Sequence, residues 1–262
     1  MLNVEIYDCK DVETIVRTVH RDGFAAVSGL LTSKQFEILE RGANRVIKEQ
    51  TDAIKLEDAN RGFARYSFGN QIMHAEWAML VDLPGLLPII EKFWNSTEFY
   101  CGGAGGDYSV PGAKIQQLHS DICEFLHDPT AQVTYRDLPA PLLIANFLMV
   151  DFTEANGAIR FVPGTQHSRQ AIPRLEDEPE WMKTSIVCAP AGTAIVRDVR
   201  CWHGGTANTS NQIRPMTSVG YYAPWFRSRG APHMPLSVYK ELSPRGQALC
   251  KEIVEARPAT AN

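Results

Sequence analysis

Two rhythms of apolar and polar residues run along the chain, and one gives way to the other near Phe99. In Asp11–His20, Val12, Ile15, Val16 and Val19 recur at the spacing that lines one face of a helix. Asp22-Gly23 marks a turn, and Phe24–Ser28 reads as a strand. Thr32 followed three residues later by Gln35 is a capping box, which predicts a second helix from there to about Lys48. Leu56–Glu76 has weak periodicity and is expected to be an ordered loop with short extended pieces, a candidate pocket wall. Leu83–Trp94 reads as an amphipathic helix following Pro84-Gly85.

From Phe99 the texture is short β-like runs split by Gly and Pro: Phe99–Cys101, Ala113–Leu118, Leu142–Phe152, Ile159–Val162, Ser185–Cys188, Thr193–Val196 and Met216–Tyr222. Turns are expected at Gly102-Gly103, Pro111-Gly112, Asn156-Gly157, Pro163-Gly164 and Pro190-Ala191-Gly192. Strands this short and this frequent predict a sandwich, barrel or jelly roll. The long connection from Asp121 to Pro141 reads as a lid or binding loop, and Pro235–Ala256 as a final helix. With no repeat and no linker, the expectation is a single domain over 1–262: a helical part to about 98, a β core over about 99–226 and a helical tail.

Composition narrows the function more than the fold. The 262 residues are 44% hydrophobic and 21% charged, with a net charge of −4 and no basic run, which argues against nucleic acid or an anionic membrane as partner. Six cysteines without a CxxC pair suggest reduced thiols. The first ten residues have no basic start or apolar core, and the most apolar stretch, Pro141–Val150, is too short to span a bilayer. The expectation is a soluble cytoplasmic protein acting on a small molecule, and a homo-oligomer is compatible with it.

The chemistry is concentrated in Gln116-Gln117-Leu118-His119-Ser120-Asp121 and in Trp202-His203-Gly204-Gly205. On a strand, residues two apart share a face, so His119 and Asp121 can converge on one ion. A second imidazole, His203, would complete the two-His-one-carboxylate triad that holds Fe(II) and leaves positions open. His167 is the rival third ligand. Arg214 lies 11 residues beyond His203 on what reads as the next strand, where a guanidinium can take a carboxylate by a bidentate pair.

Three patterns carry a resemblance: Gln-x-x-His-x-Asp at 116–121, Asn-Gly-x-x-x-x-x-Pro-Gly-x-x-His at 156–167, and His-x-Gly-x-x-Asn-x-Ser-x-x-x-Arg at 203–214. Together with Arg21-Asp22-Gly23-Phe24 and the Gly192–Asp198 run, they resemble the phytanoyl-CoA dioxygenase family, and within it the branch that oxidises natural products. The resemblance implies a mainly β fold with flanking helices, a double-stranded β-helix of the cupin-like jelly-roll kind. It implies that His119, Asp121 and His203 bind Fe(II) and that Arg214 grips the distal carboxylate of 2-oxoglutarate. It further implies that O2 is consumed and that succinate and CO2 form as a substrate is hydroxylated, desaturated or rearranged. Because Asp121 is present, halogenation is disfavoured. Gln116 matches a position that contacts the cosubstrate, although strand alternation places Gln117 on the face of His119; a bulge would reconcile the two. Ile159 stands where the branch often has Thr, and Asn146 is a candidate for the missing polar contact. Tyr66, Met73, Trp202 and Tyr222 are candidates for a pocket around a small, apolar secondary metabolite. The alternatives are an acyl-CoA hydroxylase, with Arg61, Arg65 and Arg136 at the entrance, and a non-catalytic jelly-roll metal-binding protein.

Overall fold

A computed structural model describes residues 1–228, 230 and 233–255. Among the described residues there are nine strands: β1 (Ile6–Asp8), β2 (Phe24–Ser28), β3 (Arg65–Ser67), β4 (Tyr100–Ser109), β5 (Leu142–Leu148), β6 (Ile159–Phe161), β7 (Ala194–Asp198), β8 (His203–Gly205) and β9 (Arg214–Tyr222). The helices are α1 (Val12–Asp22), α2 (Ser33–Ala53), α3 (Ala75–Ala78), α4 (Leu87–Trp94), α5 (Glu180–Lys183), α6 (Leu236–Glu241) and α7 (Pro244–Cys250). Seven strands form the main sheet in the order β1-β2-β7-β5-β9-β4-β3, antiparallel except for the β1–β2 edge. A smaller sheet pairs β6 with β8. It is widened on one side by a bridge from Arg160 to Ile186 and on the other by a bridge from His203 to His119. The architecture is a jelly roll with flanking helices.

Alternation along the main sheet separates its two jobs. Leu143, Ala145 and Phe147 of β5, Ala194 and Val196 of β7, and Val219 and Tyr221 of β9 join the core that α1, α2 and α4 cover. Leu142, Ile144 and Asn146, Arg197, and Arg214, Met216, Ser218, Gly220 and Tyr222 face the opposite way and line a cavity. Sheet parity thus assigns each residue to packing or to chemistry.

Local sequence explains the ends of the helices. Asp11 accepts a hydrogen bond from the Thr14 N–H, and Gly23, at φ 87°, terminates α1 in the left-handed region. The capping box at Thr32 and Gln35 is complete. The helix runs beyond Lys48 to Ala53 because tertiary contacts continue: Gln50 donates to Ser67 O and accepts from the Tyr108 hydroxyl.

Several expectations are corrected. Gly102-Gly103 is not a turn but the interior of β4, which continues to Ser109 with only a register shift between Cys101 and Gly103. Its glycines are required by close packing. A Cβ at Gly105 would overlap Gly69 O, and one at Gly106 would overlap Met216 O. Ala113–Leu118 is extended but not a regular strand, and Ser185–Cys188 is reduced to the single bridge at Ile186. The final helix is two short ones, because Ser243 caps a new start at α7; Ala256 lies outside the described residues. No residue between Ile122 and Pro141 lines the cavity, so that loop is not a wall of it. Arg136 and Arg200 hold it instead, Arg136 through Thr165 O and Arg200 through Tyr135 O and Leu138 O. All six cysteines are free, and no described helix is long and apolar enough to cross a membrane.

The glycine argument is testable by contrast. Gly106, at φ 127°, has no room for a Cβ, whereas Gly112, at φ 91°, has nothing within 4 Å. Gly106→Ala is expected to lose about 3 kcal/mol or more in chemical denaturation, and Gly112→Ala about 1 kcal/mol. Equal losses would mean that close packing at β4 is not what the glycine serves.

Candidate metal centre

Residues 116–121 lie beside residues 199–205, and this pairing assembles the site. The His119 N–H donates to His203 O at 2.9 Å and the His203 N–H returns to His119 O at 3.0 Å, so the two histidines are direct cross-strand neighbours. The Gln116 N–H donates to Gly205 O and the Asp121 N–H to Val199 O. Between Gln116 and His119 the chain advances three residues while its partner advances two, the count of a β-bulge. The extra residue puts Gln116 on the cavity side with His119, whereas Gln117 does not line the cavity.

The three side chains converge. Asp121 Oδ1 lies 3.8 Å from His119 Nε2 and 3.4 Å from His203 Nε2, and one donor atom from each residue falls within 4.8 Å of the others. Each imidazole has its other nitrogen at a main-chain carbonyl, His119 Nδ1 at Gln117 O (3.2 Å) and His203 Nδ1 at Cys201 O (2.9 Å). That contact fixes the rings with Nε2 toward the shared point. Burial lowers the pKa of His119, aided by the neighbouring His203, so its ring is neutral and able to ligate near neutrality. Burial works against charge on Asp121, but Arg197 and His203 outweigh it and hold its pKa well below the usual carboxylate range. Two imidazoles and one carboxylate opening into a cavity fit a divalent iron ion.

Arg214 occupies the same cavity. Its side chain is 2% exposed, its Nη1 reaches Asp107 Oδ1 at 3.3 Å, and its guanidinium lies 5.0 Å over the Phe152 ring. Its Nε is buried without a hydrogen-bond partner. The turn that delivers it is closed by Asn208, whose Nδ2 donates to Gln212 O and whose Oδ1 accepts from the Ser210 hydroxyl.

A family model described as "Phytanoyl-CoA dioxygenase (PhyH)" matches residues 19–216, well over half of the chain and all of these residues. The chain belongs to the phytanoyl-CoA dioxygenase family. It is 27% identical over 189 residues to "Dioxygenase ALT11" of Alternaria alternata, covering 71% of this chain and 57% of that protein. It is 28% identical over 141 residues to "Dioxygenase trt7" of Aspergillus terreus, covering 53% and 47%. This family member therefore spans about half the length of the curated relatives it matches. Among solved structures, AviO1 from Streptomyces viridochromogenes aligns with a TM-score of 0.62 at 19% identity, over 83% of this chain and 97% of that one. The non-heme alpha-ketoglutarate-dependent epimerase SnoN from nogalamycin biosynthesis aligns with a TM-score of 0.61 at 18% identity, over 82% and 81%. At these identities the likeness is one of fold.

The cavity of this family member is about 460 Å³ and brings together His119, Asp121, His203, Arg214, Gln116, Asn146 and Tyr222. It excludes three residues expected in it. Tyr66 is fully buried, stacked on Tyr108 at 4.9 Å with its hydroxyl donating to Ile54 O. Trp202 packs in a small core with Leu118 and Val162, and Met73 points to solvent. The cavity is therefore mixed rather than mainly apolar: β4 offers a glycine floor, and arginine, asparagine and serine stand on the walls beside Leu142, Ile144, Ile159 and Met216. Gln116 is engaged in structure, since its Oε1 accepts from the Gly205 N–H. His167 is exposed on a short turn away from the three donors.

Sequence reasoning missed Arg197, Asp107 and His233, all of which line the cavity. Arg197 had a signal: a charged residue inside the apolar run of β7, two residues after Ile195 and on the same face. Asp107 and His233 had none, because one depends on register against β9 and the other on the path of the tail.

Replacing His119, Asp121 or His203 by Ala is expected to weaken binding of Fe(II) or Zn(II), measured by calorimetry, by more than the 10–100-fold typical of outer partners. His167→Ala should stay within about twofold. If His167→Ala abolishes binding and His203→Ala does not, the donor set is misassigned.

Proposed function

We propose that this protein is an Fe(II)- and 2-oxoglutarate-dependent oxygenase. Its reaction is hydroxylation, desaturation or rearrangement of a small metabolite, with succinate and CO2 as co-products. The observation that carries this reading is the unpartnered, buried Nε of Arg214 in the cavity that holds the His119, Asp121 and His203 donors. A buried donor left unmet costs about 1–3 kcal/mol. A carboxylate placed along the Nε edge of the guanidinium meets it, and 2-oxoglutarate has a carboxylate at one end and a metal-chelating 2-oxo acid at the other. Bound at the three donors, Fe(II) would supply the redox chemistry that couples decarboxylation of 2-oxoglutarate by O2 to oxidation of a substrate C–H bond.

The chain's own residues prepare that chemistry. His119 and His203 present fixed Nε2 atoms, and Asp121 supplies the negative charge. Arg214 receives the distal carboxylate, and Asp107, its present ion-pair partner, is the group that carboxylate must displace or share. Gln116 and Arg65 keep the adjoining backbone in place: Gln116 binds Gly205 N, and Arg65 donates to Lys114 O and Thr206 O. Placement in secondary metabolism is supported by the resemblance to the natural-product branch. An acyl-CoA substrate is less well supported, because Arg65 and Arg136 are committed to main-chain carbonyls, which leaves Arg61 at an entrance meant for phosphates.

Adding Fe(II) and 2-oxoglutarate to the protein without oxygen is expected to produce a weak visible charge-transfer band. Iron that binds without the band would sink the oxygenase reading. Arg214→Ala should weaken 2-oxoglutarate by roughly 100-fold, the worth of a charge-assisted pair, while iron affinity changes only a few-fold. An unchanged affinity removes the role given to Arg214.

A further inference from the structure

Another of the arginines that line the cavity is Arg197, and its hydrogen bonds leave part of it unused. Arg197 is 5% exposed and held at two points. Its Nη1 donates to Asp121 Oδ2 at 2.6 Å and its Nε to Asn146 Oδ1 at 2.9 Å. Its Nη2 has no hydrogen-bond partner among the described residues, and neither has Asn146 Nδ2. Both residues line the cavity, as does Ser218, directly across from Asn146 on β9. The guanidinium is therefore immobilised beside the metal donors with one amino group available.

The charge of the cavity favours the same conclusion. Among the described residues that line the cavity, the arginines are Arg61, Arg65, Arg197 and Arg214 and the carboxylates are Asp107 and Asp121. A divalent metal adds two positive charges and 2-oxoglutarate removes two, so the loaded site keeps an excess of positive charge that attracts anions. Bracing Asp121 needs a single donor atom. The second anchor at Asn146 and the free Nη2 go beyond bracing and match a planar fork for a ligand oxygen.

Resting on the oxygenase reading above, we propose that Arg197 and Asn146 form the anchor for the substrate, and that the substrate carries a carboxylate or phosphate group. The anchored group lies next to the metal donors, so the oxidised C–H bond is close to the anionic end of the molecule. Arg197 then sets specificity as well as holding Asp121.

The test uses the whole protein loaded with Mn(II) and saturating 2-oxoglutarate under anaerobic conditions, both first shown to bind by calorimetry. Paramagnetic relaxation by Mn(II) is read on butyrate, on inorganic phosphate and on neutral butyramide. One of the two anions should be relaxed saturably and butyramide should not; which anion responds names the group. Arg197→Gln, which keeps a donor for Asp121, should weaken the response roughly tenfold or more. Asn146→Ala, which leaves the Arg197–Asp121 pair in place, should weaken it about threefold and decides the matter if the first variant does not hold Mn(II). Equal relaxation of butyrate and butyramide, no response from either anion, or a response unchanged in both variants overturns the proposal. An anion that merely displaces 2-oxoglutarate from Arg214 gives the last of these outcomes. Failure of Mn(II) and 2-oxoglutarate to bind the native chain overturns the oxygenase reading, and this inference with it.

Discussion

The site depends on one irregular backbone pairing, that of residues 116–121 against residues 199–205. A regular ladder would bring His119 opposite His203 but turn Gln116 to the other face. The extra residue between Gln116 and His119 avoids that, at the cost of main-chain groups that no strand neighbour can satisfy. A buried ion pair takes them up. Glu178 Oε1 accepts from the Leu118 N–H at 3.2 Å, and Arg160 Nη2 donates to Gln116 O at 2.6 Å. Arg160 and Glu178 are themselves paired with both side chains fully buried. Two buried charges are a poor source of stability by themselves. Here they supply the donor and acceptor that a bulge needs in a dry place, which explains their position behind the ligands.

Electrostatics then decides what the converged donors can hold. Each histidine leans on a carbonyl and the carboxylate leans on a cation, so the outer partners make His119 and His203 better ligands while Arg197 opposes a metal's charge. Unit charges about 4 Å apart attract by about 4 kcal/mol at an effective dielectric of about 20. An exposed ion pair contributes about 0–1 kcal/mol. The Arg197–Asp121 pair lies between these limits, since Arg197 is almost wholly buried while the Asp121 side chain is 25% exposed on the cavity side. It keeps Asp121 ionised and occupies one of its oxygens, leaving Oδ1 facing the imidazoles.

The sequence made the first two helices and the ligand pattern legible because both are local. The stripe of α1 and the capping box of α2 need only neighbouring residues, and His119 with Asp121 needs only a spacing. What was not legible is set by register. The Gly102–Gly106 run has the composition of a turn, and only its fit against Gly69, Met216 and Tyr222 makes it a strand. Tyr66, Met73 and Trp202 were placed at the pocket on residue type, yet type does not report which side of a strand or loop faces inward. Arg197 shows the converse: parity with Ile195 places it on the inner face, and its charge then demands a partner there.

The same register argument explains why polar side chains reach the cavity from strands that are mostly apolar. Glycines on β4 exist because backbone and rings press against that strand, so they remove side chains from the floor without regard to the ligand. β5, β7 and β9 supply further walls, and the parity that sends Phe147, Val196 and Tyr221 into the core sends Asn146, Arg197 and Ser218 inward. Phe147 and Tyr221 serve the helix-covered face, and the chemistry of the cavity is set by the alternate positions. Polarity here follows from strand parity combined with tight packing at β4, and any substitution that shifts the β9 register by one residue would exchange the two faces along with Arg214.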